Sequence, residues 1–231
     1  MGITVVTGCT KSHVRCVQNL MESASDFDYD FLVYDYDGTA HGIPFHIDFH
    51  SYKKYGRPAY HPKISAKPDV LIDAIERVHG DMIYMDSDTE FVCPVDEVFE
   101  YNPDFDIAVT IHDHNHFDYR KKFNQYPEMS SYLNAGVLFF RNTGGARRFL
   151  RRWKAEVKRC DTHSDQHALT NILRNHISFP YLWNHNYRHD CKGTLVKLLI
   201  SEIYNFDPNY MKKGGWAKII HNIGRYECVD S

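Results

Sequence analysis

Asp86 and Asp88 stand one residue apart at the end of a short apolar run, Met82-Ile-Tyr-Met85. A run of this length and character reads as a buried strand. Side chains two positions apart on a strand point the same way, so the two carboxylates are expected to converge at the strand mouth. They repel each other unless a cation lies between them. Hard oxygen ligands of this kind suit Mg²⁺ or Mn²⁺. An ion held by so few carboxylates keeps open positions, which a substrate's phosphates can fill. Asp86-Ser87-Asp88 is therefore a candidate metal–diphosphate site. The competing reading is a polar strand end, where Asp and Ser are favoured for their local hydrogen bonds.

The elements around this stretch alternate. Ile3–Val6 reads as a strand, followed by the turn Thr7-Gly8-Cys9-Thr10 and a helix over residues 13–23 with Ser12 as its cap. Phe31–Tyr34 is a second strand, ending in Asp35-Tyr-Asp37. Residues 40–62 are irregular. A helix with Pro68 in its first turn carries Leu71, Ala74, Ile75 and Val78 on one face and leads into the Asp86 strand. Strands follow at 107–111 and 136–140. Thr143 is placed to cap a helix over 144–159, and Ser164–Asn175 reads as another. Further apolar runs occupy 179–182, 195–200 and 217–220. Alternating strands and helices imply an α/β domain around a central, mostly parallel mixed sheet, one domain over residues 1–231. Ligands of such sheets bind at the carboxyl ends of strands. Thr7, Asp35, Asp86 and Asn134 all lie at or beside such ends and are expected to share one crevice.

Composition narrows the function classes. The chain has 231 residues, 43% hydrophobic, with a formal net charge of −3. No strong field draws the whole molecule to nucleic acid or anionic lipid. No apolar run approaches the 18 or so residues of a membrane-spanning helix, and the N-terminus lacks the pattern of a signal peptide. The six cysteines form no CxxC pair, which reads as free thiols in a reducing, cytoplasmic setting. One helix face is strongly basic: Arg147, Arg148, Arg151, Arg152, Lys154, Lys158 and Arg159. A solvated face is the plain reading; a surface for an anionic acceptor or a membrane is the sharper one.

The pattern Ile83-Tyr-Met-Asp-Ser-Asp-Thr-Glu-Phe91 resembles the DxD region of GT-A-fold glycosyltransferases that use nucleotide sugars, such as the glycogenin-like and galactosyltransferase-like enzymes. Three later stretches resemble segments of the same families in the same order. They are Leu133-Asn-Ala-Gly-Val-Leu-Phe-Phe-Arg-Asn142, Ser164-Asp-Gln166 and Ile220-His-Asn-Ile-Gly224. The resemblance spans residues 3–225. It implies a Mn²⁺- or Mg²⁺-dependent transfer of a sugar from a nucleoside diphosphate, UDP above all, to an acceptor hydroxyl.

The resemblance also assigns roles. Asp86, Asp88 and His221 are the implied metal ligands, with Ser87 beside the nucleotide. Thr7, Gly8 and Asp35 would form the nucleotide pocket, and Asn134 and Gly136 would let the sugar approach. Lys63, Lys67 and Arg225 would add positive charge near the diphosphate. Arg225 stands where the glycogenin-like pattern has lysine after its His-Phe-x-Gly, a departure that leaves the subfamily and the anomeric outcome open. Asp165 is the candidate catalytic carboxylate: a general base to the acceptor in an inverting enzyme, or in a retaining one the partner of an oxocarbenium-like centre or a nucleophile. Thr162-His-Ser-Asp165 also spells a capping box, which would make Asp165 structural. His221 has its own plain reading as a loop histidine. The lack of a membrane anchor makes a soluble bacterial or viral enzyme the easier picture.

Two other functions compete. Phe31-Leu-Val-Tyr-Asp35-Tyr-Asp37-Gly-Thr39 reads like the first motif of HAD-type phosphohydrolases, and Gly80-Asp81 with Asp86 imitates their later acidic motif. Against that reading, a strand and a helix precede Asp35, where such a motif usually opens the fold. A non-catalytic sugar-nucleotide binding module is the third possibility.

Overall fold

The computed structural model describes residues 2–39, 41–45, 66–101, 104–111, 133–160, 164–173, 176, 188–208 and 215–222. In chain order the strands and helices are β1 (Ile3–Cys9), α1 (Val14–Ser23), β2 (Tyr29–Asp35), β3 (Ile43–Pro44), α2 (Lys67–Arg77), β4 (Asp81–Met85), β5 (Thr89–Phe91), α3 (Glu97–Glu100), β6 (Ile107–Ile111), β7 (Leu133–Phe140), α4 (Gly144–Arg159), α5 (Asp165–Leu173), β8 (His189–Asp190), β9 (Leu195–Ile200), α6 (Ser201–Tyr204) and β10 (Ile219–His221). Eight strands form one sheet in the order β3-β2-β1-β4-β7-β6-β9-β8, and β5 and β10 form a separate ladder. The expected α/β architecture is present. The sheet is parallel from β3 through β4, but β7 runs antiparallel to both β4 and β6.

Strand alternation explains how the sheet is covered. Along β4, Met82 and Tyr84 join the cluster formed with α2, α4 and α5, while Ile83 and Met85 join the cluster containing α1 and α3. All eight residues of β7 are buried, as a strand covered on both faces requires. The apolar stripe of α4 goes into the first cluster, with Leu150, Trp153 and Val157 fully buried. Thr143 caps that helix as expected, its hydroxyl accepting from the Ala146 N–H at 3.1 Å. The basic residues of α4 largely hold their own chain. Arg147, Arg148 and Arg152 donate to the carbonyls of Ile75, Gly193 and Cys191, and Lys154 pairs with Asp69. The plain reading of that face is the one the contacts support.

Several local expectations change. The first helix opens with a 3₁₀ turn over Lys11–His13, and Ser12 gives α1 no cap. Its hydroxyl lies instead 2.9 Å from His13 Nδ1, beside that of Thr10. β1 runs on to Cys9 through most of the stretch read as a turn, because Thr7, Gly8 and Cys9 pair with Val33, Tyr34 and Asp35 of β2, and a two-residue edge strand, β3, stands in the stretch read as irregular. Residues 46–65, 112–132 and 177–187, which include Lys63 and the expected strand at 179–182, lie outside the described residues. Cys9, Cys16, Cys93, Cys160 and Cys191 are free thiols. No helix among the described residues is long and apolar enough to cross a membrane.

Candidate active site

β4 stops at Met85, and the chain then turns rather than continuing the pleat. The Thr89 N–H and hydroxyl both bond to the Asp86 carbonyl, at 3.1 and 2.6 Å. Asp86, Ser87 and Asp88 therefore sit in a turn between β4 and β5, and strand alternation is not what aligns the two carboxylates. The turn is pinned from both sides: the Asp86 N–H donates to Gly136 O, and the Asn222 N–H donates to Asp88 O, each at 2.8 Å. Ser87 is half-buried between them.

His221 is the last residue of β10, opposite Thr89 in the antiparallel pairing with β5. It is thus a strand residue, and the loop reading is replaced. Its Nε2 lies 3.2 Å from Asp88 Oδ1 and 4.0 Å from Asp86 Oδ2. The ligand atoms of Asp86, Asp88 and His221 all lie within 4.8 Å of one another. Burial alone would raise the Asp88 carboxyl, but its hydrogen bond and charge interaction with His221 outweigh that and hold it below the usual range. The same contact lifts His221, against a burial that would lower it. Two carboxylates and one imidazole are a donor set that hard divalent ions accept. The residues fit such an ion.

Lys67, the first residue of α2, sits behind this cluster at 4% exposure. Its ammonium lies 3.0 Å from Asp86 Oδ1 and 2.8 Å from Asp165 Oδ2, and donates to Ala135 O at 2.9 Å. It also stands over the Tyr84 ring at 4.8 Å. All its donors face the protein, so it bridges two carboxylates instead of offering a bare charge to a diphosphate. Burial would lower its pKa, but the two carboxylates raise it overall and keep it protonated. Tyr84, near the end of β4 and two residues before Asp86, donates its hydroxyl to Asp86 Oδ1 at 2.8 Å. With Oδ1 occupied twice, Oδ2 is the oxygen turned toward His221.

Asp165 is the first residue of α5, not its third. The capping-box reading therefore changes. Thr162 lies outside the described residues, and the Ser164 hydroxyl accepts from the His167 N–H at 3.4 Å. Asp165 Oδ1 accepts from the Gln166 N–H at 2.7 Å, and its carbonyl accepts from Trp153 Nε1 at 2.8 Å. Burial raises its carboxyl, with Lys67 opposing. Gln166 ties the same helix start to β7, accepting from the Ala135 N–H.

The remaining expected residues are placed unevenly. Asn134 Oδ1 accepts from the Gly136 N–H at 2.6 Å. A Cβ at Gly136 would fall 2.4 Å from His221 Cε1, so this glycine makes room for the imidazole itself. At β1, alternation splits the pair: Thr7 is fully buried, and its hydroxyl finds no hydrogen-bond partner among the described residues. Gly8 lies directly under the Tyr36 ring, where a Cβ would clash at 2.5 Å. Asp35 Oδ1 accepts from the Asp37 N–H at 3.1 Å, and Asp37 in turn accepts from the Lys11 N–H. Those two acids form a local turn network tied to the start of α1. Arg225 lies outside the described residues. Tyr84 was findable from its two-residue spacing to Asp86. Tyr36 and Asn205, which hydrogen-bonds His221, carry no comparable spacing signal.

Residues 29–199 match the family described as nucleotide-diphospho-sugar transferase. The chain belongs to that family. It is a glycosyltransferase of GT-A fold, and the phosphohydrolase reading of Asp35 and Asp37 is left without support. No curated protein matches it by sequence. Among solved structures, it resembles a glycosyltransferase involved in glycosylation of the major capsid of PBCV-1, at TM-score 0.58 and 13% identity over 98% of this chain and 95% of that one. The glycosyltransferase GlyE of Streptococcus pneumoniae TIGR4 gives 0.56 and 14% over 97% of this chain but only 55% of its own. Mouse xyloside xylosyltransferase 1 gives 0.56 and 12%, covering 97% of this chain and 98% of the other. At these identities the likeness is one of fold.

Proposed function

We propose that this chain, acting as one domain, transfers a sugar from a UDP-sugar to an acceptor hydroxyl with Mn²⁺ or Mg²⁺ at Asp86, Asp88 and His221. The observation that carries the reading is the convergence of those three side chains, from a turn and a distant strand, within 4.8 Å. A divalent cation there would neutralise the leaving diphosphate by Lewis-acid interaction without moving a proton. The bond from the anomeric carbon to the diphosphate oxygen would break, a bond to the acceptor oxygen would form, and the acceptor's proton would pass to Asp165 or to the departing diphosphate, according to the anomeric outcome. Asp165 is the nearby carboxylate outside the ligand set, and it steadies the positive charge that builds on the sugar. Lys67 bridges Asp165 and Asp86 and holds the two carboxylates in place. Ser87 and Gly8 with Tyr36 would line the nucleotide side, with Thr7 and Asp35 buried behind them. Asn134 supports β7 beside the sugar, and Lys63 and Arg225 add positive charge. The free thiols support a reducing, cytoplasmic setting.

A thermal-shift panel of nucleoside diphosphates and sugar nucleotides, with and without Mn²⁺, tests this. The expected result is stabilisation by uridine ligands only when the cation is present. Stabilisation by none of them, or phosphate release from sugar phosphates that is lost in Asp35→Asn, would sink it.

A further inference from the structure

Behind His221 lies a buried polar side chain that none of the roles above uses. Asn205 follows α6 directly and is 1% exposed. Its Nδ2 donates to Thr110 Oγ1 at 2.9 Å, and its Oδ1 stands 2.9 Å from His221 Nδ1. Thr110 is itself fully buried, just past the register shift in β6. The amide is placed with Nδ2 toward the Thr110 hydroxyl and Oδ1 toward the imidazole. A carbonyl oxygen only accepts. Nδ1 therefore carries hydrogen in this arrangement. The lone pair for a ligand is then on Nε2, the nitrogen that faces Asp88 and Asp86.

The backbone holds the same geometry. The Phe206 N–H donates to Ile219 O and the His221 N–H to Phe206 O, at 2.9 and 2.8 Å, while Asn205 N–H bonds back to Ser201 O at 2.8 Å. Asn205 and His221 thus belong to one laced segment, and the side-chain bond is not a chance approach of two loops. Gly136 completes the seat, since any side chain there would strike the ring. Ligating histidines typically give their second N–H to an outer acceptor, which fixes tautomer and orientation.

We propose that Asn205 is a positioning residue of the cation site: anchored by Thr110, it fixes the His221 ring and tautomer so that Nε2 is offered to an ion shared with Asp86 and Asp88. This rests on the cation reading given under the proposed function.

The test is Mn²⁺ binding to the full chain, with free Mn²⁺ read by electron paramagnetic resonance and no nucleotide present. Asp88→Ala and His221→Ala should weaken binding. Asn205→Leu, which keeps volume but removes the acceptor, should weaken it about 10–100-fold. Asn205→Asp restores an acceptor for Nδ1–H and should stay close to wild type. The double variant His221→Ala with Asn205→Leu should bind no more weakly than His221→Ala alone, because Asn205 acts only through the ring. Wild-type affinity in Asn205→Leu, or additive losses in the double variant, would overturn the proposal while leaving the cation reading intact. Mn²⁺ binding that is indifferent to Asp88→Ala would overturn both. Nitrogen coupling to bound Mn²⁺ in pulsed spectra separates a displaced ring from general loosening: it should fade in Asn205→Leu and persist in Asn205→Asp.

Discussion

Lys67 and Lys197 are both buried, at 4% and 3% exposure, yet their surroundings are opposite. Lys67 stands between Asp86 and Asp165 with a carbonyl as third partner, and its pKa is raised although burial works against it. Lys197, in the middle of β9, has burial as its dominant influence and Arg188 adding like charge, and its pKa falls to about 8. The same side chain is thus an organised charge at the carboxyl end of β4 and an unfavourable one elsewhere in the sheet. Burial of a charge marks a working site only where opposite charges converge on it. Lys67 meets that condition and, among the described residues, Lys197 does not.

Removing the organised lysine should have the larger effect. Lys67→Met leaves Asp165 buried without its cation and should cost about 3–5 kcal/mol in denaturant unfolding. Turnover should vanish with it. Lys67→Met with near wild-type stability would make the two lysines alike and break the contrast. Asp165→Asn is the sharper cut, because it leaves Lys67 only Asp86. Turnover should fall about 10²–10³-fold with little change in donor affinity, as expected for a group that acts mainly in the transition state. A change confined to KM would place Asp165 in binding only.

Lys197→Met should do the reverse and stabilise the fold, by on the order of 2 kcal/mol near neutral pH. The sign follows from the lowered pKa. Between about 8 and the ordinary 10.5, the unfolded chain holds the Lys197 proton that the folded chain has released. Stability of the wild type therefore rises with pH across that window. The burial penalty is fully present below it and relieved above it. The advantage of Lys197→Met should accordingly be greatest below pH 8 and shrink toward pH 10.5, which paired urea melts at several pH values would show. An advantage independent of pH would mean that Lys197 pays no ionisation cost.

The sequence carried the α/β architecture well, because β1, β4, β7 and the stripe of α4 are long enough for their apolar patterns to speak. Short elements were less legible. The β5–β10 ladder that places His221 joins two three-residue strands far apart in the chain. Asp86 and Asp88 were visible as a pair, but for a reason that does not apply: a turn closed by Thr89 aligns them, not the pleat. Lys67 was visible as a positive charge. Its bridging role needed the start of α5 to be brought beside the start of α2, and no local pattern encodes that. Gly136 reads from sequence as room for a sugar, whereas the space is filled by an imidazole from the end of the described chain.

The central claim is that Asp86, Asp88 and His221 form a cation site serving a nucleoside diphosphate. Calorimetric titration of UDP into wild type and Asp88→Ala, each with Mn²⁺ and with a chelator, tests it most directly. The account predicts binding to wild type that depends on Mn²⁺, and its loss in Asp88→Ala with the fold retained. Equal UDP affinity in the two proteins, or the same wild-type affinity in chelator, would contradict it.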